Sequence, residues 1–144
     1  MPSAIRDSRC QIVRTLDIVG EKWSLLIIRN ALRGQTTYSQ FRDQLGVPSD
    51  ILAARLVTLV ERGIFEKRAY RDAGNRERFS YHLTEAGRGL NLVMGAINQW
   101  GEASIFIDAD SESRVGIAFV DAAGDRVLST DVAIIPGPAS TTQW

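Results

Sequence analysis

Two helical runs lie nearly end to end in the middle of the chain, and their junction restricts the fold more than any other feature. The first, TTYSQFRDQLG at 36–46, has Thr37 as a plausible N-cap, Tyr38, Phe41 and Leu45 on one face, and Gly46 as terminator. The second, SDILAARLVTLVERG at 49–63, opens on Ser49 as a candidate cap, carries Asp50 at its positive end and closes at Gly63. At 100° per residue, Leu52, Leu56, Leu59 and Val60 gather on one side, and Asp50, Ala54, Val57, Thr58 and Glu61 lie roughly opposite. One face packs, while the other is small enough to approach a partner.

A β-hairpin follows directly. IFEKRAY at 64–70 is rich in strand formers, and RFSYHL at 78–83 alternates Phe79, Tyr81 and Leu83 with Arg78, Ser80 and His82. Between them RDAGNRE supplies Gly74 and Asn75 for positive φ, with Phe79 and Tyr81 expected to anchor the hairpin inward. A helix pair followed by such a hairpin is a winged helix-turn-helix. It presents the second helix to the major groove of double-stranded DNA and lays the wing along the backbone or into the minor groove. Ala54 and Val57 offer methyls to thymine, and Thr58 or Asp50 can hydrogen-bond base edges.

Ahead of the pair, Ile12, Val13, Leu16 and Val19 recur at helical spacing up to Gly20, a candidate left-handed stop. A second helix runs from about Lys22 to Arg33, apolar around much of its girth. After the hairpin, Thr84 caps a long helix to about Glu102, with Leu90, Val93, Ile97 and Trp100 at spacings of three and four. Its surplus of apolar surface predicts a second copy of the chain as partner. The fold class is therefore mainly α with a β-hairpin wing, over residues 1–103. Residues 104–144, with SIFI, RVGIAFV and RVLSTDVAII around the turn DAAGD, predict a small β-rich acidic extension ending in a loose tail whose Trp144 docks on the protein.

The formal net charge is zero, but it is unevenly placed. Residues 1–100 carry 15 Lys+Arg against 10 Asp+Glu, and residues 101–144 carry 2 against 7, so the net charges are +5 and −5. Such polarity suits a nucleic-acid-facing part joined to an acidic one, whose acids solubilise the tail, line an effector pocket or shield the basic face. No run of eighteen apolar residues exists and the first residues lack signal-peptide order, so a cytoplasmic location without membrane association is expected. One His, one Cys, no metal-ligand spacing and no Gly-rich phosphate loop predict neither enzyme nor cofactor nor metal.

The stretches GEKWS at 20–24, YSQFRDQLG at 38–46, LAARLVTLVERGIFEKRAY at 52–70 and YHLTEAGRGL at 81–90 resemble, in joint order and spacing, the HxlR family of bacterial winged-helix regulators, relatives of the MarR type. The resemblance covers residues 10 to about 101. It implies a homodimer joined by the first helix, with Ile12 and Leu16, and the last, with Leu90, Val93, Ile97 and Trp100. It further implies a pseudo-palindromic operator near regulated genes. Two positions depart from the family pattern: Thr37 stands where a basic residue is common, and Pro48 where a capping serine is usual.

In the wing, Arg76 beside Asn75 is the leading candidate for a narrow minor groove, and Arg71 and Arg78 for phosphates; the plain alternative pairs these arginines with Asp72 and Glu77. Lys22, Thr37, Ser39 and Ser49 are further candidate DNA contacts, while Trp23 belongs to the core. Arg55, at about 300° from Leu52, serves either a phosphate or a structural ion pair. Cys10 falls at a helix start near Arg6, Arg9 and Arg14, where dipole and charge favour the reactive thiolate. In some members of the resembled family a cysteine at this position senses oxidants; otherwise Cys10 is a passive small apolar residue. His82 faces outward without a chemical role. A small-molecule effector or an oxidant is the expected signal, and a winged helix that only binds protein is the alternative class.

Overall fold

The computed structural model describes residues 10–104, 119–120, 123 and 126–127. The chain packs as two compact units, Met1–Asn91 and Leu92–Trp144. In chain order the first holds α1 (Gln11–Val19), α2 (Lys22–Leu32), α3 (Tyr38–Leu45), α4 (Ser49–Glu61), β1 (Phe65–Arg71), β2 (Glu77–Leu83) and α5 (Glu85–Gly89). This is an α+β winged helix, as the order of runs predicts.

Local chemistry explains the boundaries. At the start of α3, Thr37 Oγ1 accepts from the Gln40 backbone N–H while Gln40 Oε1 accepts from the backbone N–H of Thr37, a complete capping box. Gly46 ends the same helix at φ 63°, which a side chain would disfavour. Ser49 is not a cap but the first residue of α4. Pro48 holds the N-cap position, its fixed φ of −55° leading the chain into the helix without a side-chain bond. Gly20 is right-handed, at φ −69°, rather than a left-handed stop. Its requirement is space, since a Cβ there would lie 2.4 Å from the Leu16 carbonyl oxygen.

The core joins all these elements. Ile27 and Ile28 of α2, Phe41 of α3, Leu52, Leu56 and Leu59 of α4, and Ile64 and Phe65 at the wing root are buried together, with Trp23 packed against them. Phe41 meets Phe65 at 6.2 Å between ring centroids, and Phe65 meets Tyr81 edge-on at 6.4 Å. Strands β1 and β2 pair antiparallel from Phe65↔Leu83 to Arg71↔Glu77. The segment entering α3 extends this ribbon, because Tyr81 N–H donates to the Thr36 carbonyl at 2.6 Å and Thr37 bridges Ser80. Thr84 fixes the far end of the wing: its hydroxyl donates to Gly63 O at 2.6 Å and accepts from Gly87 N–H.

The long helix expected from Thr84 is two helices. α5 ends at Gly89, Leu90 caps it, and α6 (Asn91–Ser104) follows. Two glycines within five residues weaken helix propagation by about 1 kcal/mol each relative to alanine. Gly87 cannot be spared, because a Cβ there would approach Ile64 O to 2.3 Å. Leu90, at the junction, is half-buried and packs against the winged-helix core.

In the second unit, α6 buries Met94 and Gly95, half-buries Val93 and exposes Leu92, Ile97 and Trp100. β3 (Phe119–Val120) and β4 (Arg126–Val127) form an antiparallel pair around the turn expected at DAAGD. The SIFI segment beyond Ser104, most of the other expected strands and Trp144 lie outside the described residues, as do Arg6 and Arg9. No helix among the described residues is long and apolar enough to cross a membrane.

Candidate nucleic-acid interface

The face of α4 opposite its buried leucines is open. Asp50, Ala54, Val57 and Glu61 are exposed, and Val57 retains 56% of its surface. Thr58 differs from the expectation: it is half-buried, and its hydroxyl donates to the Ala54 carbonyl at 3.1 Å. Its one proton is thus committed to its own helix, leaving only acceptor capacity toward a base. Ser49 is exposed at the start of α4, and its carbonyl receives the Tyr38 hydroxyl at 3.1 Å, which ties the two helices of the pair together.

On α3 the candidates are drawn inward. Thr37 serves the capping box, and the Ser39 hydroxyl lies 3.3 Å from the Thr37 hydroxyl; both residues are half-buried. Lys22, the first residue of α2, is exposed and holds its Nζ 5.0 Å from the Trp23 ring centroid.

The wing tip is built around Asp72. The Asp72 N–H donates to Arg76 O, and Asn75 N–H donates to Asp72 O at 2.9 Å, giving a three-residue turn in which Asn75 is left-handed at φ 59°. Gly74 does not have positive φ. Its N–H instead donates to Asp72 Oδ1 at 3.0 Å, as does Arg76 N–H at 3.2 Å. Arg78 Nε donates to the other carboxylate oxygen at 2.5 Å, and Arg71 reaches toward Asn75 O and Oδ1 at 3.4 Å each. The plain pairing with acids is therefore realised for Arg78 through Asp72, and Arg71 also leans on the turn. The Arg76 side chain projects from the tip with no hydrogen bond or ion pair among the described residues.

The Arg78 hydrogen bond, reinforced by the Arg76 and Gly74 amides, holds the Asp72 carboxyl below the usual aspartate range. The sign follows from linkage. A depressed folded-state pKa adds stability above the ordinary aspartate value, and that contribution is lost as pH falls through the depressed one. The Gly74 and Arg76 amide resonances are expected to shift together in that acid window, while core amides stay put; an NMR pH titration checks this.

Phe79 is not an inward anchor. It is 40% exposed, with Lys67 Nζ 4.0 Å from its ring centroid, whereas Tyr81, two residues nearer the root on the same face, is half-buried and has its hydroxyl pKa raised by that burial. Arg55 takes the ion-pair alternative, donating from an Nη nitrogen to Glu21 at the N-cap of α2. Nothing local in the sequence points to Glu21, since 34 residues separate the partners.

Known proteins share this framework. The family model described as HxlR-like helix-turn-helix matches residues 18–108. The HTH-type transcriptional regulator Rv3095 of Mycobacterium tuberculosis is 43% identical over 89 residues, 62% of this chain and 55% of its own length. The chain thus spans about half the length of the curated relatives it matches first. Among solved structures, PA1607, described as a candidate transcription factor, superposes with a TM-score of 0.65 at 31% identity, over 92% of this chain and 99% of PA1607. The redox regulator HypR in its reduced form gives 0.59 at 26% identity, over 65% of this chain and 92% of HypR. With the family match covering more than half of its residues, and with the helix pair and wing in place, the chain belongs to the HxlR-like helix-turn-helix family.

Proposed function

We infer that this protein is a cytoplasmic transcriptional regulator that binds a pseudo-palindromic double-stranded DNA operator as a homodimer. The observation that carries the reading is the pairing of an open, small-residue face on α4 with an Arg76 side chain that the wing leaves uncommitted. A groove-entering helix needs the first, and a guanidinium entering a narrow minor groove needs the second. In this reading Ala54, Val57 and Asp50 meet base edges, Thr58 accepts from one, and Lys22, Ser49 and Arg71 line the phosphates.

Dimerisation is supported by apolar residues that two helices leave exposed: Ile12 and Leu16 on α1, and Ile97, Trp100 and Leu92 on α6, with Val93 half-buried beside them. A two-fold dimer reads half-sites about one helical turn apart. Selection of bound fragments from random duplex DNA is expected to enrich an inverted repeat with that spacing. Recovery of no enriched sequence would favour a winged helix that binds only protein.

An oxidant is the signal we favour. Cys10 is half-buried at the N-cap of α1, and HypR, described as a redox regulator, is a structural neighbour. Two thiols of a dimer joined across subunits by diamide, which takes up both electrons and both protons, should change operator affinity. Unaltered affinity with Cys10 still reduced would end that part of the reading.

A further inference from the structure

Arg55 is placed unlike the other basic residues near the open face. It leaves α4 on the flank between the core face and the groove-facing side, and its side chain is only 28% exposed. Its partner Glu21 sits at the N-cap of α2 with 61% of its side chain exposed. The guanidinium Nε–H is shut off from solvent and meets no acceptor among the described residues. Two further positive contributions belong to the same corner. Lys22 follows Glu21 directly, and the first turn of α2 has no side-chain cap, so its backbone N–H groups carry the positive end of the helix dipole. Among the described residues, the carboxylate bonded to Arg55 is the exposed one of Glu21.

Such an exposed pair is weak, because water screens it and two long side chains must be held in one geometry. A phosphodiester makes a stronger partner. The guanidinium fork can meet phosphate oxygens in bidentate fashion through its two Nη groups, and Glu21 engages only one of them.

We propose that Glu21 stands in for a DNA backbone phosphate on Arg55, and that duplex DNA displaces it to form a phosphate clamp from Arg55, Lys22 and the first turn of α2. The inference rests on the DNA-binding reading above and assigns Glu21 a role in it. In the free protein Glu21 masks the guanidinium, so it lowers affinity for duplexes of any sequence without altering which sequence is preferred. The clamp holds the backbone beside the groove in which α4 lies.

The test is a salt series of duplex titrations with the full chain, comparing wild type, Glu21→Gln, Arg55→Ala and the double variant. Glu21→Gln is expected to tighten binding about two- to fivefold. Arg55→Ala should weaken binding and flatten the log–log salt slope by about 0.9 for each phosphate it no longer neutralises. The double variant should match Arg55→Ala, because the gain requires the unmasked guanidinium. Should Arg55→Ala melt too low to assay, Arg55→Met keeps an unbranched stem without the charge and takes its place. A gain from Glu21→Gln that persists without Arg55 would reveal a general charge effect and overturn the proposal. Unchanged or weaker binding by Glu21→Gln would overturn it as well, the weaker case making Glu21 a positioning residue for Arg55. If the wild-type chain binds no duplex at any salt concentration, the DNA-binding reading itself fails and this inference with it.

Discussion

A carboxylate placed at Val57 is expected to weaken operator binding on the order of a hundredfold or more while leaving the fold intact. Val57 is exposed at the middle of the open face of α4, one turn from Ala54, and lies outside the buried core. Glutamate is at least as good a helix former as valine, so Val57→Glu should melt within a few degrees of wild type. In the groove its charge would face two phosphate backbones and lose hydration without a cationic partner. Such a mismatch at one base position costs roughly 1–3 kcal/mol per half-site, and a dimer carries the change twice, so affinity should fall on the order of a hundredfold or more. Fluorescence anisotropy with a selected duplex measures it, with Val57→Ala as the control that keeps the face small and uncharged. Undiminished binding by Val57→Glu would remove α4 from the groove.

The second large effect acts through stability. Phe41 is completely buried, and its ring begins the aromatic series that runs through Phe65 to Tyr81, joining the helix pair to the wing root. Truncating a buried phenylalanine costs about 3–5 kcal/mol, against a total of about 5–15 kcal/mol for an ordinary domain. Each kcal/mol lowers the melting temperature of a unit this size by about 4–8 °C. Phe41→Ala should therefore melt well below wild type by circular dichroism and lose DNA binding only as it unfolds. Val57→Glu loses binding with an unchanged melt, so the two variants separate the surface role of α4 from its structural one. A Phe41→Ala protein that melts with wild type would show that the aromatic series does not join wing to helices.

The helix pair is legible because each run carries its own punctuation: the Thr37 and Gln40 capping box, Gly46 and Gly63 in left-handed backbone, and four apolar positions of α4 on one side. The wing is legible as a ribbon, since alternation assigns Phe79 and Tyr81 to one face. Periodicity tells which face a residue occupies but not how far the core extends along it. The core stops at Tyr81, and Phe79 therefore lies under Lys67 rather than inside. The break before α6 is hidden because the apolar spacing runs on across Leu90; α5 carries at its middle Gly87, a glycine required by the neighbouring Ile64 carbonyl, a tertiary constraint with no periodic signature. Within the candidate interface, the arginines of the wing are visible as charges, yet their partners are not. Asp72 organises the turn and engages Arg78, and Glu21 reaches Arg55 across 34 residues, so only the folded chain separates Arg76 from the others.

Contact between Arg76 at the wing tip and DNA is read from the salt dependence of duplex binding. Titrations of wild type and Arg76→Ala across a salt series should give linear log–log plots. Arg76→Ala is expected to bind more weakly and with a shallower slope, by about 0.9 for each phosphate whose counterions are no longer released. Its melting temperature should be unchanged, because Arg76 contributes only backbone groups to the turn. An affinity and slope equal to those of the wild type would rule out a DNA contact by Arg76.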